Sequence, residues 1–170
     1  MKPDPLNPKI VNGSFEEATE GEDKPRGWHY QRQVQLTSGD DAPDGSQFIT
    51  FTNQEPGRGS RALQAFAIDG RRIREIEVSV WVRGDSVRPG QSAADLPALA
   101  ITFYDETRRS RDMRVMGGWR GTFGWQQVST RVEIPPEARE AILRIGLLGA
   151  VGEASFDGVE LKVLKRQKER

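Results

Sequence analysis

The sequence predicts an all-β fold, a sandwich of two antiparallel sheets, on three observations. Apolar residues recur with period two over several stretches, the spacing that turns one face of a strand inward. Gly, Pro, Asn and Asp breakers separate these stretches at short, fairly regular intervals, as the connections of a sandwich or barrel require. The only helix-like piece, Pro135-Pro136-Glu137-Ala138-Arg139-Glu140, is too short to be more than a turn.

Taken in order, weaker alternation at Val11 to Glu16, Gln31 to Thr37, Gln47 to Thr52 and Ala62 to Ile68 predicts the strands of the first half. From Glu75 to Arg83 the pattern is sharper: Ile76, Val78, Val80 and Val82 share the core face, and Glu77, Ser79, Trp81 and Arg83 share the outer one. Ala98 to Asp105 sets Leu99, Ile101 and Phe103 inward against Ala100, Thr102 and Tyr104. Arg108-Arg109-Ser110-Arg111-Asp112-Met113-Arg114 reads as a charged hairpin or edge strand, whose guanidinium groups blunt pairing with other chains. Gln126 to Ile134 sets Val128, Val132 and Ile134 opposite Gln127, Ser129, Arg131 and Glu133. Ala141 to Leu148 turns Leu143, Ile145 and Leu147 inward, with Ile142, Arg144 and Leu148 opposite, and Ser155 to Val163 does the same with Val159, Leu161 and Val163. About nine strands result, which suits a jelly roll.

The chain of 170 residues fits one domain, expected over 10–164, with a Pro-rich linker at 1–9 and a charged tail at 165–170. Formal charges cancel, so no overall field favours nucleic acid or an anionic membrane, and no apolar run approaches the roughly 18 to 20 residues of a membrane span. Zero Cys removes disulfides, thiolate metal sites and Cys nucleophiles, and leaves the compartment open.

A series of short motifs narrows the fold. Asn12-Gly13-Ser14-Phe15-Glu16 is followed by Pro25-Arg26-Gly27-Trp28, Ala42-Pro43-Asp44-Gly45-Ser46, Trp81-Val82-Arg83-Gly84, Gly121-Thr122-Phe123-Gly124-Trp125-Gln126, Val132-Glu133-Ile134-Pro135 and Phe156-Asp157-Gly158-Val159. In that order and spacing the chain, from about Ile10 to Leu164, resembles the galactose-binding-like jelly rolls, and among them the carbohydrate-binding modules of families 4, 9 and 22. The resemblance implies a structural calcium ion tying the first strand to the last. Carried over position by position, its ligands are the carboxylates of Glu16 and Asp157, the carbonyl of Ser14 and carbonyls around Asp44 and Gln47. An all-oxygen set of this kind is what calcium takes. The residue types alone admit a plainer reading, in which Glu16 and Asp157 face water or pair with arginine.

Sugar recognition needs flat aromatic faces and planar polar side chains. Trp81 and Arg83, with Tyr104 and Thr102 and with Arg144 and Gln127 on neighbouring strands, offer both on the predicted outer face, and Trp119 in a Gly-rich loop offers a rim contact. Trp28 and Trp125, each preceded by Gly, read as loop anchors into the core.

Enzyme signatures are thin. The one histidine, His29, has no Gly-x-Ser-x-Gly partner, and Gly57-Arg58-Gly59-Ser60-Arg61 lacks the ending of a phosphate loop. Asn12-Gly13-Ser14 fits a glycosylation acceptor, although the fold motif explains the same residues. The sequence therefore predicts a non-catalytic module that binds an oligo- or polysaccharide, with one structural calcium, as part of a larger exported bacterial protein and next to its other domains. No nucleic-acid or membrane partner is expected. The alternatives are an interaction or spacer domain of the same fold without sugar affinity, and a free-standing hydrolase.

Overall fold

A computed structural model describes residues 2–167. The described residues form ten strands and no helix. They are β1 (His29–Arg32), β2 (Val34–Ser38), β3 (Gln47–Asn53), β4 (Arg61–Ala67), β5 (Ile73–Arg88), β6 (Ala98–Tyr104), β7 (Ser110–Gly117), β8 (Gly121–Glu133), β9 (Glu140–Gly146) and β10 (Val151–Arg166). One sheet has the order β1-β4-β9-β6-β7 and the other β2-β3-β10-β5-β8, with every pairing antiparallel. This is a jelly-roll β-sandwich.

The predicted inward rows form the core between the sheets. Ile76, Val78, Val80 and Val82 of β5 are fully buried, and so are Phe103 of β6 and Leu143 and Ile145 of β9. Phe51 and Phe156 meet edge to face at 5.8 Å across the β3–β10 ladder. β10 departs from strict alternation, because Phe156 and Val159 both point inward. A bulge between Asp157 and Glu160, with Gly158 at φ 56°, absorbs the extra residue. Asp157 is thereby left on the outward side of its sheet, opposite Trp81.

Two expected strands differ. Val11 to Glu16 is a turn, with Asn12 and Phe15 at φ 51° and 58°. Asn12 holds it: Nδ2 donates to the carbonyls of Glu17 and Arg26 (2.8 and 2.7 Å), and Oδ1 accepts from the Glu17 amide. The turn buries Phe15 on Trp28 (ring centroids 5.3 Å), whose indole N–H reaches the Asn12 carbonyl. It also uses both polar ends of the Asn12 amide, so the glycosylation motif serves as a turn. Gln31 to Thr37 is two strands, because Gln33 at φ 56° carries the chain from one sheet to the other.

The end motifs do meet. Val159 donates its amide to the Gly13 carbonyl (2.9 Å), and Gly13 packs so closely that a Cβ would strike the Val159 carbonyl. The opening segment 2–9 lies along β4, with the Asp69 amide on the Pro5 carbonyl, and Arg166 of β10 bonds Leu6 and Asn7. β10 thus runs two residues past the boundary expected at 164, and part of the predicted tail, 168–170, lies outside the described residues.

Candidate functional site

Glu16 and Asp157 are brought to the same loop, 39–46, at two different points. Asp157 is fully buried, with Oδ2 accepting from the Asp44 amide and Oδ1 from the Gly158 amide, both at 2.9 Å. Burial pushes its carboxyl up to about 7 against those two hydrogen bonds, and the neighbouring Asp44 and Glu16 carboxylates push the same way. Glu16 accepts from the amides of Ser46 and Gln47 (2.8 Å each) and from the Ser46 hydroxyl (3.1 Å). Burial raises its carboxyl, but these hydrogen bonds outweigh it and hold Glu16 below the ordinary value.

Tested as a cation site, this corner has one feature in favour and one against. A buried carboxylate beside two others, with no Lys or Arg on it, is an uncompensated charge that a hard cation would neutralise. Yet among the described residues no three acidic or histidine side chains form a ready cage. Glu16 spends its oxygens on loop amides, and Gln47 sits in the β2–β3 ladder opposite Ser38. The side chains that fit a cation here are therefore Asp157 and Asp44.

The expected sugar contacts do not share one face. Trp81, Arg83 and Gln127 lie outward on β5 and β8 of the second sheet, whereas Tyr104 and Arg144 lie outward on β6 and β9 of the first. The whole sandwich separates the two sets. Period two distinguishes inward from outward but not one outward face from the other. Trp119, expected at the rim, is half-buried and meets core Phe156 edge to face at 5.9 Å.

On the second sheet, Arg83 is already engaged. Its Nη1 pairs with Asp41 of the loop at 2.6 Å, and its guanidinium lies over the rings of Phe48 (5.0 Å) and Trp125 (4.8 Å). Trp125 is therefore a support for Arg83 on the outward face and not an anchor in the core. Loop 39–46 covers this side, and Trp81 is half-buried against Gly158.

The outward face of the first sheet is open. Its cross-strand rows read His29–Leu63–Arg144–Ala100–Val115 and, two residues along, Ala65–Ile142–Thr102–Met113. Tyr30, in the irregular part of β1 at φ 52°, is 78% exposed, and Met113 and Val115 are 51% and 59% exposed. His29, Tyr30, Leu63, Ala65 and Ile142 line a depression of 480 Å³. Sequence reasoning missed Tyr30, because its prominence comes from a left-handed backbone that no periodicity signals.

No protein-family model and no curated protein matches the sequence. Solved structures do match the fold. The xylan-binding family 22 module of Paenibacillus barcinonensis Xyn10C superposes with a TM-score of 0.54 at 14% identity, over 96% of each chain. The enzymatically active domain of bacteriophage CBA120 tailspike protein 4 gives 0.63 at 18% identity, over 91% of this chain but 21% of that one. A Stig cyclase from Fischerella sp. TAU gives 0.61 at 16% identity, over 93% and 97%. Carbohydrate-binding modules of families 16, 4 and 61 match as well. The fold is thus a jelly-roll β-sandwich that carbohydrate-binding modules have, and that a cyclase has as well.

Proposed function

We propose that this chain is a non-catalytic carbohydrate-binding module whose ligand platform is the outward face of the sheet β1-β4-β9-β6-β7. One observation carries the reading: an exposed aromatic ring, Tyr30, stands beside an open aliphatic depression with Arg144, Thr102 and Tyr104 on the same face. The ring stacks on the C–H face of a pyranose, and the guanidinium and hydroxyl groups hydrogen-bond sugar hydroxyls. The fold's use in carbohydrate-binding modules supports this. A structural calcium at Asp157 and Asp44 belongs to the proposal, as does a place within a larger exported bacterial protein whose other domains the module directs to a polysaccharide.

A glycan array followed by titration of the best ligand tests the platform. Tyr30→Ala is expected to weaken binding by about tenfold or more, with Trp81→Ala close to the parent. The reverse pattern would move the site to the opposite face. A second reading, an interaction domain without sugar affinity, is favoured by Met113 and Val115, two large apolar side chains left exposed on the same sheet. Silence across a broad array supports that reading.

A further inference from the structure

The open face gathers three arginines without a carboxylate partner. Arg71, Arg83, Arg111 and Arg114 pair with Asp69, Asp41, Asp105 and Asp112 respectively. Arg32, Arg61 and Arg144 do not. Among the described residues none of the three has a carboxylate within ion-pair distance or a side-chain hydrogen bond. All lie on the outward side of the sheet that holds Tyr30.

Their placement is costly without a ligand. Arg32 stands directly across the β1–β4 ladder from Arg61, and like charges in that position repel. Arg144 sits between Leu63 and Ala100, with its Nε buried and no acceptor on it. The row of Arg61 continues through Gly146, Ala98 and Gly117, which add no charge beside Arg144. The five strands offer little counter-charge. Glu140 lies four residues along β9 from Arg144, about 13 Å at strand spacing, and Asp112 is paired to Arg114 opposite core-facing Phe103.

Resting on the glycan-binding reading, we propose that the ligand of this face is an acidic polysaccharide, a uronate-bearing chain whose carboxylates pair with Arg32, Arg61 and Arg144 while a sugar ring stacks on Tyr30. A planar guanidinium pairs with a carboxylate through two parallel hydrogen bonds, and a sulfated polymer in the test separates a uronate from a sulfate ester. A nucleic acid fits less well. The three cations are gathered at one end of an aliphatic surface and do not track a backbone, and the chain's formal charge is zero.

The test is calorimetric titration with polygalacturonate, its methyl ester, a sulfated galactan and single-stranded DNA, beside the array of neutral glycans. Polygalacturonate is expected to bind, with the methyl ester and the double variant Arg32→Gln/Arg61→Gln each about tenfold weaker and Tyr30→Ala weaker towards both polymers. Because Arg32 and Arg61 are exposed and repel each other, the variant should melt no lower than the parent, which separates lost binding from lost folding. Equal affinity for acid and ester, or indifference to the arginine variant, overturns the acidic ligand and leaves the carbohydrate module standing. Preference for the sulfated galactan or for DNA also overturns it. Binding to none of the polymers and no array glycan overturns both readings.

Discussion

Asp157 is where a single residue sets the behaviour of the fold. Its carboxyl is pushed from an ordinary 3.8 to about 7 in the folded protein, so between these values the folded chain holds a proton that the unfolded chain has released. In calcium-free buffer its contribution to stability is therefore present below about pH 4 and lost as pH rises towards 7. The proposed calcium would offset the ionised carboxylate, so the rise in melting temperature on adding it should be larger at about pH 8 than at about pH 5. An equal rise at both, or none, would refute calcium at this residue. The Phe-Asp-Gly-Val motif made Asp157 visible in the sequence. The role of Glu16 was not visible, because its partners are the backbone amides of Ser46 and Gln47, which carry no sequence signature.

Among the elements, the β6–β7 hairpin depends on one carboxylate. Asp105 accepts from the Thr107 hydroxyl (2.6 Å) and amide (2.8 Å), from the Arg109 amide (3.0 Å) and from Arg111 Nε (2.8 Å). Led by the Thr107 hydroxyl and the Arg109 amide, these bonds hold its carboxyl well below the usual range, so its contribution is present above the ordinary carboxylate value and lost as pH falls through the depressed one. Asp105→Ala should lower the melting temperature and speed amide exchange along β7, while β5 and β10 stay protected; unchanged exchange in β7 would count against this role. Period two revealed β5, β6 and β9, since each buries one row of Val, Ile, Leu or Phe, and it revealed β8 and β10 although β8 buries Val132 alone and β10 breaks its alternation at Asp157. It failed at Val11 to Glu16 and at Gln33, where left-handed residues bend or redirect the chain. It also could not say that Trp81 and Tyr104 sit on opposite sides, because sheet membership depends on pairings between distant segments.

For the molecule as a whole, the seam between the first turn and the last strand holds residues far apart in sequence. A Cβ at Gly13 would overlap the Val159 carbonyl, so Gly13→Ala must push the turn off β10, carrying Phe15 and its contact with Trp28. We expect a cost of about 2–4 kcal/mol by chemical denaturation, in one cooperative transition. A cost under about 0.5 kcal/mol would show that the seam is dispensable. The match of end motifs was legible in the sequence, but the contact that joins them is backbone to backbone.

The contact between Arg166 and the stretch at Leu6 and Asn7 has a consequence for engineering. Residues 6–7 and 166 lie side by side, so a short linker between these points would close the domain into a ring without crossing the sandwich. New termini opened at the exposed turn around Gly21 would leave every strand whole, and the domain could then be spliced into a host loop as a cassette with its Tyr30 face still turned to solvent.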